Sequence, residues 1–162
     1  MSVQNRLELA EFQQKVARLQ RAVYGALQTA NDLKTRLGAI KRALQETSAP
    51  VDSLVYSALA IESKVNDILR SLRGDATLRS RNENSPLSIN DRVTKIVDDQ
   101  RLSTSRPTQT QRDGYLIAGD DFKIELAKLK TLIETDMTTL EKQMEMAGAP
   151  WTPGRIPAWQ EN

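Results

Sequence analysis

Arg70, Arg73, Arg79 and Arg81 cluster near the middle of the chain. Guanidinium groups at that density could gather a phosphate or another anion through charge-assisted hydrogen bonds. Asp75, Glu83, Asp91, Asp98 and Asp99 are close in sequence, so the region is mixed in charge. Arginines at the end of a helix also serve its dipole, which is the plainer reading. No aromatics interleave with them, so nucleic-acid stacking has no platform. The carboxylate pairs Asp98-Asp99 and Asp120-Asp121 could suggest acid–base chemistry. That chemistry needs two acids facing each other across a cleft, whereas neighbours on a helix diverge; these read as surface charges. Histidine and cysteine are absent, which removes Ser-His-Asp and Cys-His nucleophiles, disulfides and the usual zinc sites. No Gly-rich phosphate loop, EF-hand pattern or nucleophile elbow occurs. The sequence assigns no catalytic residue, no metal ligand and no cofactor.

The elements that would carry these residues are long helices. Leu9, Phe12, Val16, Leu19, Val23, Ala26, Ala30, Leu33, Leu37, Ile40 and Leu44 recur at spacings of three and four, a heptad seam that places them on one stripe of a helix. The first helix is predicted from Val3 to Gln45, about 65 Å long. A second, from 51 to 73, carries Leu54, Ala58, Ile61, Val65, Ile68 and Leu72, with Pro50–Val51 at its start and Gly74 as its stop. Residues 75–87 lack periodicity and read as a loop. A third helix, 88–102, is capped by Ser88 with Asp91, buries Ile89, Val93, Ile96 and Val97, and frays near Leu102. Thr108 and Gln111 form a capping box for the last helix, 109–146. Its stripe is Tyr115, Ala118, Phe122, Leu126, Leu129, Ile133, Met137, Leu140 and Met144. The step through Ile133, Met137 and Leu140 slips from a strict heptad, a stutter that locally unwinds a supercoil. Gly148 and Pro150 close the helix. The small residues Gly25, Ala26 and Ala30, and Gly114, Ala118 and Gly119, suggest close helix approach.

The expected fold is all-α: an elongated antiparallel three-helix, coiled-coil-like bundle over residues 1–147 with an interrupted middle strand, plus a Pro/Trp-rich extended tail over 148–162. With 162 residues, 39% hydrophobic and 4% aromatic, the composition suits helices that bury a narrow stripe. The net charge of +2 is near neutral. No stretch approaches the roughly 20 apolar residues of a membrane span.

The tail holds both tryptophans, in Trp151-Thr-Pro-Gly-Arg-Ile-Pro-Ala-Trp159. Trp151, Ile156 and Trp159 would either pack back on the helices as a clasp or anchor another domain. Gly148-Ala-Pro-Trp-Thr-Pro-Gly-Arg-Ile-Pro-Ala-Trp159 resembles the extreme C-terminus of large bacterial proteins built on sortilin-type, Asp-box (BNR-like) repeat β-propellers, often labelled glycosyl hydrolases or sialidase-like. Phe12-Gln-Gln-Lys-Val-Ala-Arg-Leu-Gln-Arg-Ala-Val23, Arg81-Asn-Glu83 with Ser88-Ile89 and Arg92-Val93, and Pro107-Thr-Gln-Thr-Gln-Arg-Asp-Gly-Tyr115 are similar to the same proteins. The similarity spans about residues 10–159. It implies a C-terminal helical module of a longer, exported parent. The Asp-box repeats lie outside this chain, so no catalytic residue carries over, and family analogy does not establish an activity.

The function expected from these readings is a non-catalytic accessory domain. Its partners would be adjacent β-propeller or β-sandwich domains, with no nucleic acid. Trp151, Ile156, Trp159, Arg79, Arg81, Asn82 and Glu83 are its contact or organising positions. A self-associating coiled-coil scaffold is the alternative. A glycan-processing hydrolase with catalysis outside this segment is the third.

Overall fold

A computed structural model describes residues 3–101 and 103–161. Among them the chain is all-α, with no strand. Helix α1 runs Val3–Gln45, α2 Asp52–Arg73, α3 Ala76–Ser80, α4 Ile89–Arg101, α5 Gln109–Thr131 and α6 Thr138–Met146; a π-helical turn, Leu132–Met137, joins α5 to α6. No helix among the described residues is long and apolar enough to cross a membrane. The predicted fray at Leu102 lies outside the described residues.

The heptad seam of α1 is buried from Phe12 to Leu44, with Leu19 partly covered. Burial of one stripe against neighbouring helices is what holds so long a helix in register. Its C-terminal half packs with α2 in a large cluster that includes Leu33, Leu37, Ile40, Leu54, Ile61, Ile68, Leu132 and Leu140. Its N-terminal part packs with α4 and α5 in a second cluster of Phe12, Val16, Val93, Ile96 and Ala118. The Phe12 and Tyr115 rings meet edge-on at 5.8 Å. Ion pairs tie the same partners: Lys41–Glu62 at 2.7 Å, Lys64–Asp136 at 3.0 Å, and Arg36 with Glu141. Glu8 is reached by Arg106 and Arg112, each at 3.5 Å.

The helix ends follow local chemistry. Thr108 and Gln111 complete the capping box of α5. The Asp91 N–H donates to Ser88 Oγ at 3.1 Å, the expected cap of α4. The Asp91 carboxylate does not complete a box; it is taken by Arg79. α2 begins at Asp52 rather than at Pro50: Val51, buried in the core, accepts the first N–H bonds from Leu54 and Val55. Residues 75–87 are not all loop, since Asp75 caps the single turn α3. A one-turn helix has no hydrophobic period to announce it.

The last helix departs most from expectation. Its inner stripe runs Ala118, Phe122, Glu125, Leu129, Leu132, Met137, Leu140 and Met144. Leu126, assigned to the core by periodicity, is 45% exposed, and Glu125 takes the inward place at 8%. The stutter is a π-turn: one extra residue between Leu132 and Met137 is absorbed by i→i+5 bonding. The Thr138 hydroxyl adds a bond to the Ile133 carbonyl across it, at 3.3 Å. The small-residue expectation holds only in part. An added Cβ at Gly114 would sit 3.4 Å from Ile96, whereas Gly25 and Gly119 face open space.

Candidate functional site

The C-terminal segment is built from three successive local devices. First, α6 ends in a Schellman motif: the Ala149 N–H bonds the Met144 carbonyl, the Gly148 N–H bonds that of Glu145, and Gly148 has φ 69°. Ala149 and Met144 are buried in the same cluster, the apolar contact that accompanies this motif. Second, Thr152-Pro-Gly-Arg155 makes a turn closed by the Arg155 N–H on the Thr152 carbonyl at 3.1 Å. Proline then glycine with φ 90° is the pattern of a type II turn. Third, the Arg155 side chain, 5% exposed, folds back. It donates to Glu145 Oε2 at 2.9 Å and to the Pro150 carbonyl at 3.3 Å. Its guanidinium lies 4.6 Å from the centroid of the Trp151 ring. Gly154 rests on Arg36, so close that a Cβ there would come within 2.8 Å of Nε.

This arrangement corrects the clasp reading. Trp151 is 43% exposed and packs on Arg155, while Ile156 is 89% and Trp159 81% exposed. The anchored residues are Ala149, Thr152 and Arg155, which are respectively small, polar and charged. The side chains that hold the segment down are not its aromatic ones.

In the 75–83 region the arginines are occupied by local carboxylates. Arg70 reaches Asp67 at 3.0 Å and Asp75 at 3.4 Å. Arg79 binds Asp91 and donates to the Arg73 carbonyl at 2.7 Å, lying against Gly74. Arg81 and Glu83 stand 3.9 Å apart in solvent, and Asn82 takes a left-handed φ of 52° to end α3. Arg79 is therefore an organiser of the α2–α4 connection, and Asn82 a turn residue. Arg81 and Glu83 are exposed. The Thr77 N–H bond to Asp75 holds that carboxyl below the ordinary aspartate value, with further help from Leu78 and Arg70. The acid pairs are surface residues as expected, with Asp99 near Lys95 and Asp120 near Lys123. Among the described residues no group of acids is placed to hold a metal ion.

Sequence reasoning missed a recess between α2 and the last helix. A cavity of about 550 Å³ lies between α2 and the α5–π junction. Ile68 and Leu132 are buried beneath it, and Lys64, Lys128, Asp136 and the buried Glu125 line it. Lys128 donates to Glu125 Oε1 at 2.9 Å. On the α1 side, Leu126, Leu129 and Ile133 line another recess of about 400 Å³ beside Gly25, Ala26 and Thr29. The stutter marked the π-turn beside these recesses but not the recesses themselves; π-turns are frequent at functional sites.

Comparison with protein-family models, with characterised proteins and with solved structures gave no match to this chain.

Proposed function

We propose that this chain is a non-catalytic accessory domain that docks neighbouring protein domains, the C-terminal helical module of a larger exported β-propeller protein. The observation that carries the reading is the state of Ile156 and Trp159. Both are large and apolar and both are exposed; Ile156 follows directly on the turn pinned by Arg155, and Trp159 lies three residues further along. Exposed aromatic and aliphatic anchors on a fixed support are the usual currency of recognition. Its architecture would be an elongated antiparallel three-helix bundle with α2 and α4 as the two halves of the middle strand. The pairing of Glu8 with Arg112 and of Arg36 with Glu141 supports α1 and the last helix running in the same sense. Lys41 with Glu62 supports α2 running against them.

The test is docking of the domain encoded immediately upstream in the parent gene, produced separately, onto this chain. Trp159→Ala and Ile156→Ala are expected to weaken binding at least tenfold each while leaving the melting temperature unchanged. Unaltered affinity in the double variant would overturn the proposal.

Self-association is the second reading, favoured by Leu116, Ile117, Ile124 and Leu126, all exposed on α5. It requires a mass that rises with concentration in sedimentation equilibrium; a constant monomer over a wide dilution series excludes it.

A further inference from the structure

Where α1 and α4 lie side by side they leave a recess of about 180 Å³. Val16, Ala17 and Val97 give it an apolar surface, and Gln13, Gln20 and Arg101 line it as well. Its remaining wall is Gln100, an amide side chain on the inner face of α4 and only 7% exposed. Gln100 Nε2 is enclosed and has no hydrogen-bond acceptor among the described residues. A buried polar atom without a partner is rare in a folded protein and calls for an explanation. An apolar side chain of similar size would fill the α1–α4 seam without desolvating an amide. The amide is therefore available to a group from outside the chain.

The surroundings set the sign of that group. Arg101 is exposed and makes no ion pair with the described residues. Between Glu11 and Asp32, α1 carries Lys15, Arg18 and Arg21 and no acid. These three are exposed and equally without an ion pair among the described residues. Of the acids at this end, Glu8 is held by Arg106 and Arg112, and Asp99 stands 3.9 Å from Lys95. Glu11 and Asp98 are exposed and do not line the recess.

We infer that this recess binds a carboxylate on a short aliphatic stem, presented as a glutamate side chain by an acidic segment of a partner protein. An amide N–H and a guanidinium are the donors that the two oxygens of a carboxylate take. The stem rests on Val16, Ala17 and Val97. The volume suits one side chain and is below that of a typical small-molecule pocket. The field of Lys15, Arg18 and Arg21 attracts the rest of an acidic segment. Gln13 lies about 35 Å along α1 from Arg36, where the tail is seated, so this site stands whether or not the tail docks a domain.

The probes are blocked glycine/serine peptides with a single central glutamate, glutamine or lysine, and free propionate. Each is titrated into the whole chain, labelled with nitrogen-15. The glutamate peptide is expected to move the Gln100 side-chain amide signals saturably in the millimolar range, at least fivefold tighter than the glutamine peptide. The lysine peptide should leave them in place. Gln100→Leu, verified as folded by circular dichroism, should weaken glutamate-peptide binding at least tenfold, and Arg101→Gln at least fivefold. Lys34→Gln, farther along α1, should leave it unchanged. Equal binding of the glutamate and glutamine peptides, a preference for lysine, Gln100 signals that do not move, or undiminished binding in either Gln100→Leu or Arg101→Gln would overturn the inference. Propionate binding as tightly as the glutamate peptide would overturn the assignment to a partner protein.

Discussion

Two glycines make opposite demands on a methyl group. Gly154 has φ 90°, and its Cβ would press on the Arg36 guanidinium. Gly154→Ala is expected to cost about 1–3 kcal/mol through backbone strain, read as a fall in melting temperature. Gly25 is helical and faces open space, so Gly25→Ala should stabilise by about 0.5–1 kcal/mol. A fall in its melting temperature would show that α1 approaches something at that point. Glu125 is the other unusual residue. Glu125→Leu should raise stability by about 1 kcal/mol, because an apolar side chain in a buried site avoids desolvating a charge.

At the scale of elements, the π-turn and the single turn α3 each carry a prediction. Deleting Thr135 would shorten the step from Leu132 to Met137 to four residues and let α5 and α6 join as one regular helix with the same inner face. The deletion variant should keep its helical content and melt within a few degrees of the parent. A large loss of stability would mean that the bulge itself is needed for packing. For α3, the sign of the pH dependence follows from Asp75. Its carboxyl is held below the ordinary value by the bond from the Thr77 N–H. The cap is therefore fully effective above the unfolded aspartate value of about 3.9, and is lost as pH falls through the lower, folded value. Amide protection at Thr77 should follow that titration, and Asp75→Ala should remove it at every pH.

The helices differ in how far their sequences revealed them. In α1 and α2 one face is apolar and the rest polar, so the 3.6-residue period fixes both the helix and its inner side. The capping box at Thr108 and the stop at Gly148 were legible for the same reason: each is local chemistry at a fixed offset. α5 is different. Leu116, Ile117, Ile124 and Leu126 face outward as Ala118, Phe122 and Leu129 face inward. A helix apolar on several sides has no single preferred phase, and either Leu126 or Glu125 could continue the stripe. Tertiary packing decided it. The recess between α2 and the α5–π junction was hidden because its lining residues are far apart in sequence and meet only when the chain folds.

For the whole molecule, the absence of cysteine allows a direct measurement of length. Leu7 lies near the start of α1, and Gly154 touches Arg36. Cysteines at Leu7 and Ile156, spin-labelled, should give a narrow distance distribution centred near ~45 Å, the rise of α1 between residues 7 and 36. A broad or short distribution would mean that the tail leaves its seat on Arg36. With the tail seated there, α1 behaves as a strut. Anything gripped by Ile156 and Trp159 stays about 50 Å from a body fixed beside Val3, and a push or pull between the two is borne along one unbroken helix axis.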